Sequence, residues 1–152
     1  MTAFLIFFYY SMGTRRQARE AALQFLFQDD FFPGSDSGLE DIQERFIHFC
    51  GLFQISKKGR PYALELLQQT MVNKSRIDDL IAQAAVNWRL SRIAAADRNV
   101  LRLAVCEMLY IDDVPDEVAI NEAVEIAKRF GGDESPSFIN GVLDAVRKIL
   151  RG

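Results

Sequence analysis

Apolar residues recur at intervals of three and four through nearly the whole chain, and no stretch alternates convincingly at period two. The first spacing lines one face of an α-helix, whereas a half-buried strand needs the second. The chain is thereby restricted to packed helices. A first helix is predicted from Thr14 to about Asp30, with Ala18, Ala21, Ala22, Phe25 and Leu26 on one face and Thr14 as its cap. Residues 33–38 are a loop by composition. Leu39, Ile42, Phe46, Phe49, Cys50 and Phe53 predict a second helix ending near Gln54, and Lys57-Lys58-Gly59-Arg60 breaks it. Pro61 suits the first turn of a third helix, with Ala63, Leu64, Leu67 and Met71 inward.

Asn73-Lys74-Ser75 divides the chain into halves, 13–74 and 75–152, expected to form one compact unit. The second half carries a stripe from Ile77 to Trp88 and another from Val100 to Met108. After Pro115 come Ala119, Ile120, Ala123, Ile126, Ala127 and Phe130, with Gly131 as a left-handed terminator. After Ser135-Pro136 come Phe138, Ile139, Val142, Leu143, Val146 and Ile149. The sum is an all-α chain of about seven helices joined by short loops, the pattern of packed antiparallel bundles. Asn121 and Asn140, set beside apolar positions, are expected to be buried amides tying elements together.

Residues 1–12 stand apart, uncharged and rich in aromatic and aliphatic side chains. They lack the basic start and small-residue cleavage site of a signal peptide, and a membrane span needs about 20 apolar residues. Met12 begins a stretch of ordinary soluble character, so 1–12 are read as a misplaced start, with an extension packed on an apolar surface as the alternative.

The net charge of -3 argues against a protein coated in basic residues, so any RNA contact must come from a local patch. His48 is the sole histidine, and neither Cys50 nor Cys106 has metal-ligand spacing; both cysteines read as buried small hydrophobes in a reducing cytoplasm. Phosphate-cradling glycine motifs are absent, and the pairs Asp29-Asp30, Asp78-Asp79 and Asp112-Asp113 read as solvated surface. A cytoplasmic protein without enzymatic activity, metal, cofactor or membrane partner is expected.

One feature breaks a local rule. Arg15, Arg16 and Arg19 crowd the first turns of a helix, where the macrodipole disfavours cations by ~0.3–1 kcal/mol each. Cations beside free backbone N–H groups make an anion site, here for RNA phosphates, against the alternative of solubilising charge at a terminus. Lys128-Arg129-Phe130-Gly131 is a second candidate, read most simply as a core ring with cations complementing a helix end.

Three stretches carry a resemblance. They are Arg15 to Phe27; Asp97 to Ala104 with Glu107; and Val118 to Gly131, closed by Phe138 to Asp144. The third is specific: Ile120-Asn121-Glu122-Ala123, Ala127-Lys128 and Phe130-Gly131 are followed by Phe138-Ile139-Asn140-Gly141-Val142-Leu143-Asp144. Over about residues 14–150 the chain resembles the NusB family of transcription antitermination factors. The resemblance implies two packed three-helix bundles. It implies binding of single-stranded boxA RNA from ribosomal-operon transcripts together with the ribosomal protein NusE, in a complex with NusA, NusG and RNA polymerase. It leaves a homodimer open.

The resemblance also implies that Arg15, Arg16, Phe130, Glu134 and Phe138 face RNA, with Arg19 and Lys128 beside them, and that Phe27 and Asp97 face NusE. The arginines would hold phosphates, the phenylalanines would stack unpaired bases, and Glu134 would accept hydrogen bonds from base edges. An acid at Asp97 suits a basic partner. Two departures weaken the NusE contact: Phe27 stands where tyrosine is common, and Ser91 where some members carry an acid. Residues 1–12 have no counterpart. Two other readings compete: a helical adaptor or homodimeric scaffold without RNA binding of its own, and a targeting module of an rRNA methyltransferase, for which the length leaves no room.

Overall fold

The computed structural model describes residues 14–31 and 39–152. They form seven α-helices: α1 (Thr14–Phe31), α2 (Leu39–Leu52), α3 (Arg60–Val72), α4 (Lys74–Ala84), α5 (Ala95–Tyr110), α6 (Asp116–Phe130) and α7 (Ser135–Arg151). Two 3-10 turns, Lys57–Gly59 and Leu90–Arg92, complete the order, and no strand occurs among the described residues. No helix among them is long and apolar enough to cross a membrane. The apolar segment 1–12 and the 33–38 loop lie outside the described residues.

Helix α5 is the axis of the molecule. Every residue from Asn99 to Met108 is buried, and a helix buried on all sides must be wrapped by others. Helices α1, α3, α4, α6 and α7 all pack on it. Helices α1–α3 form one bundle, in which Phe25 meets Phe46 and Phe49 edge-on at 5.7 Å each. Helices α5–α7 form the second, and α4 packs on α5 and α7. The chain passes between the halves at Asn73 alone, yet the buried apolar residues of both make one continuous core.

Burying α5 also buries its polar side chains, which then need partners. Arg102 donates to Asp78 at 2.8 and 3.1 Å, and Asn99 donates to Asp30 at 2.8 Å. Glu107 accepts from Arg19 at 2.8 to 3.0 Å and from the Tyr62 hydroxyl. These links tie α1, α3 and α4 to the central helix.

Several expectations are corrected. Asn121 and Asn140 are exposed, because α6 and α7 turn the faces opposite their apolar stripes to solvent. Phe53, Trp88 and Ile149 are exposed as well. Helix α2 stops at Leu52, and α4 stops at Ala84, short of the aromatic residues that extended their stripes. Gly131 is extended (φ -102°, ψ -176°), not left-handed. It is required by close approach: a Cβ there would lie 2.5 Å from Ser135 Cβ and Oγ and 2.9 Å from the Ala127 carbonyl.

Candidate nucleic-acid and partner interface

The arginines at the start of α1 are all engaged. Arg15 donates to Asp113 at 2.6 Å and lies 4.5 Å over the Tyr62 ring. Arg16 grips Glu122 with two hydrogen bonds, 2.7 and 2.9 Å. Lys128 pairs with Glu125 at 2.8 Å, and Arg129 with the buried Glu20 at 2.7 Å. The hydrogen bond from Arg16 is the main reason the Glu122 carboxyl is held below the usual range. Burial pushes the Glu20 carboxyl up, against the pull of Arg129.

Arg19 is a correction. It is only 5% exposed, and its guanidinium is committed to Glu107, itself 2% exposed. A phosphate cannot reach it without opening the core, so its role is to join α1 to α5. Arg15 and Lys128 stay reachable, because solvent-exposed pairs are held by only ~0–1 kcal/mol and exchange partners cheaply. Arg16, tied by two hydrogen bonds to part-buried Glu122, is held more firmly and keeps only part of its guanidinium open to solvent. The patch is thus positive in sequence and close to neutral in space. The long-range carboxylates, 88 to 109 positions from their arginines, create that difference.

Two grooves flank the first turn of α5, where Ala96 lines one and Asp97 the other. The larger, about 780 Å³, runs between the α4–α5 connection and the start of α7 and is lined by Trp88, Arg92, Asp97, Asp133, Glu134 and Phe138 among others. Ser135 Oγ donates to Asp97 at 3.0 Å and accepts from the Gly132 N–H at 2.9 Å, fixing the α6–α7 connection to α5. The smaller groove, about 310 Å³, is walled by Phe27, Phe49, Phe53 and Phe130.

The grouping of site residues changes accordingly. Asp97, assigned to NusE, shares a groove with Glu134 and Phe138, assigned to RNA. Phe130 opens instead beside Phe27. Trp88 was missed as a site residue because it continues the α4 apolar stripe. The helix ends first, Ala85 leaves helical geometry (φ -91°, ψ 62°), and Trp88 is left 54% exposed, edge-on to Phe138 at 6.1 Å. Arg92 was also missed; it and Arg89 are exposed and have no ion pair among the described residues.

Comparison with known proteins matches residues 16–148 to the model of the NusB family. The transcription antitermination protein NusB of Desulfotalea psychrophila is 61% identical over 140 residues, 92% of this chain and 99% of that one. The fold is similar to T. maritima NusB, with a TM-score of 0.76 and 40% identity, covering 88% of this chain and 90% of that one. It is also similar to a chain in the crystal structure of antitermination factors NusB and NusE in complex with dsRNA. There the TM-score is 0.76 at 24% identity, covering 90% and 97%, a likeness of fold alone.

Proposed function

The chain belongs to the NusB family, and from that premise we propose that it is a non-catalytic transcription antitermination factor binding RNA jointly with NusE. Its RNA is the boxA-type single strand of ribosomal-operon transcripts, and its setting is the cytoplasmic complex of NusA, NusG and RNA polymerase. The observation that carries this reading is the pair of solvent-facing aromatic grooves on either side of the α5 start. Exposed rings in a concave surface suit unpaired bases and partner side chains, and a packed monomer gains nothing from leaving them open.

The proposed roles are those the resemblance implies, less Arg19. Arg15, Arg16 and Lys128 exchange carboxylates for phosphates. Half-buried Phe138 offers the exposed part of its ring to a base, and Phe130, with the Arg129 guanidinium 5.1 Å over its ring, offers what that cation leaves open. Glu134 accepts hydrogen bonds from amino groups on base edges. Phe27 and Asp97 meet NusE. Because the arginine patch is neutralised, the chain alone attracts RNA weakly, and a basic partner supplies the missing field. A protein of the same fold occurs in a crystal structure with NusE and dsRNA, which supports joint binding of RNA and NusE in coarse outline. A protein-only adaptor is the second reading, favoured by the exposed Ile47, Leu52 and Phe53 at the end of α2. Gel shifts of a boxA-like single strand, with and without NusE, separate the two. A super-shifted complex supports joint binding, and no RNA retention in either lane supports the adaptor.

A further inference from the structure

We infer that Trp88 and Arg92 complete a nucleotide-binding groove with Phe138 and Glu134, and that it takes one unpaired, amino-bearing nucleotide of a single-stranded RNA. The inference rests on the RNA-binding reading above and assigns to it two residues outside the arginine patch.

The first support is geometric. Trp88 and Phe138 stand 6.1 Å apart at 73°, so an entering base can lie flat on one ring and meet the edge of the other. A volume of about 780 Å³ is within the range of small-molecule sites and exceeds what two packed rings leave by accident. Trp88 is half-exposed although it is the largest apolar side chain in the protein, so its surface is unspent in the fold.

The second support is charge. The lining holds one cation, Arg92, and three carboxylates, Asp97, Asp133 and Glu134. Arg92, Asp133 and Glu134 have no ion pair among the described residues, while Asp97 is held by Ser135. A phosphate inside this groove would be repelled. A base whose edge donates hydrogen bonds suits it: adenine, cytosine and guanine carry exocyclic amines that carboxylates accept, whereas uracil offers a single N3–H flanked by two carbonyl oxygens that carboxylates repel. Arg92 can then hold the phosphate flanking that base. It needs no carboxylate exchange to do so, unlike Arg15 and Arg16.

Trp88 is the single tryptophan of the chain, so its fluorescence reports on this groove directly. The test titrates the full chain, alone and with NusE, with short oligo(A), oligo(C) and oligo(U), following Trp88 emission and, separately, anisotropy of labelled RNA. Quenching by oligo(A) and oligo(C), and weaker binding of oligo(U), are expected. Trp88→Ala should weaken binding by about 5- to 100-fold by anisotropy, with Trp88→Phe recovering most of it. Arg92→Gln should reduce the salt slope by roughly one ion. Circular dichroism of each variant checks that the fold is kept.

The failures are distinguishable. If no RNA binds wild type with or without NusE, the proposed function itself falls. If RNA binds normally but Trp88 emission is unmoved and Trp88→Ala binds as wild type, RNA lies elsewhere and this inference is overturned. If NusE alone shifts Trp88 emission and Trp88→Ala loses only NusE affinity, the groove is a protein contact and the inference is again overturned.

Discussion

Replacing Arg19 by methionine distinguishes an arginine built into the core from one held out to RNA. In Arg19→Met the guanidinium disappears while the Glu107 carboxylate stays 2% exposed, with the Tyr62 hydroxyl its one remaining side-chain partner among the described residues. Breaking a buried ion pair from one side costs ~3–5 kcal/mol, because the remaining charge is uncompensated. For a chain of this size each kcal/mol lowers Tm by about 2–4 °C, so a fall of roughly 6–20 °C is expected. The urea midpoint should drop by about 1 M or more. The triple variant Arg19→Met, Glu107→Leu and Tyr62→Phe replaces the cluster by apolar groups of similar shape and should recover most of that loss. Thermal and urea unfolding followed by circular dichroism give the stabilities, and RNA affinity is measured below the unfolding transition. A folded Arg19→Met within ~0.5 kcal/mol of wild type that has lost RNA affinity would refute the assignment of Arg19 to the core.

Gly131→Ala should destabilise by about 1–3 kcal/mol, since the new Cβ collides with Ser135 and the Ala127 carbonyl; an unchanged melting curve contradicts the close approach. Glu122 has a folded pKa depressed chiefly by Arg16, so its contribution to stability is fully present above the ordinary glutamate value of ~4.3 and is lost as pH falls through the lower folded one. Glu122→Gln should therefore flatten the acid limb of stability against pH, and an unaltered limb counts against the pair. Burial pushes the Cys106 thiol up to about 11, and Cys50 is buried too. Both should resist a thiol reagent at neutral pH until the protein unfolds, as followed by absorbance; rapid modification of the native chain shows a more open core.

Periodicity made the helices legible. The stripe of α1 is its buried face, and those of α6 and α7 are buried apart from half-buried Phe130 and Phe138 and exposed Ile149. In α3 the buried face is Ala63, Leu66, Leu67 and Thr70, one position round from the expected Leu64 and Met71. Lys57–Gly59 lies between α2 and α3, and Asn73 between α3 and α4. What the sequence hid were relations across space. Nothing local to Arg19 shows that Glu107 waits 88 positions away, so a core arginine and a surface arginine look alike at the start of α1. Asn121 was misjudged because adjacency in sequence is a 100° rotation on a helix, enough to move a side chain from core to solvent. Trp88 looked like core because the period continues into residues that are no longer helical. The resemblance named Phe138, Glu134 and Asp97 but not their shared groove, which lies where Ser135 ties the α6–α7 connection to α5.

The central claim is that RNA binding is a joint property of this chain and its partner, and a salt titration of RNA affinity with and without NusE tests it most directly. Single-stranded RNA contributes a slope of about -0.7 in log K against log salt for each phosphate neutralised. With its α1 cations paired to carboxylates, the chain alone should bind weakly with a slope no steeper than about -1.5, the contribution of roughly two free cations. Adding NusE should raise affinity at least about tenfold and steepen the slope as the partner's cations engage. Tight binding by the chain alone, with a slope unchanged by NusE, would contradict the account.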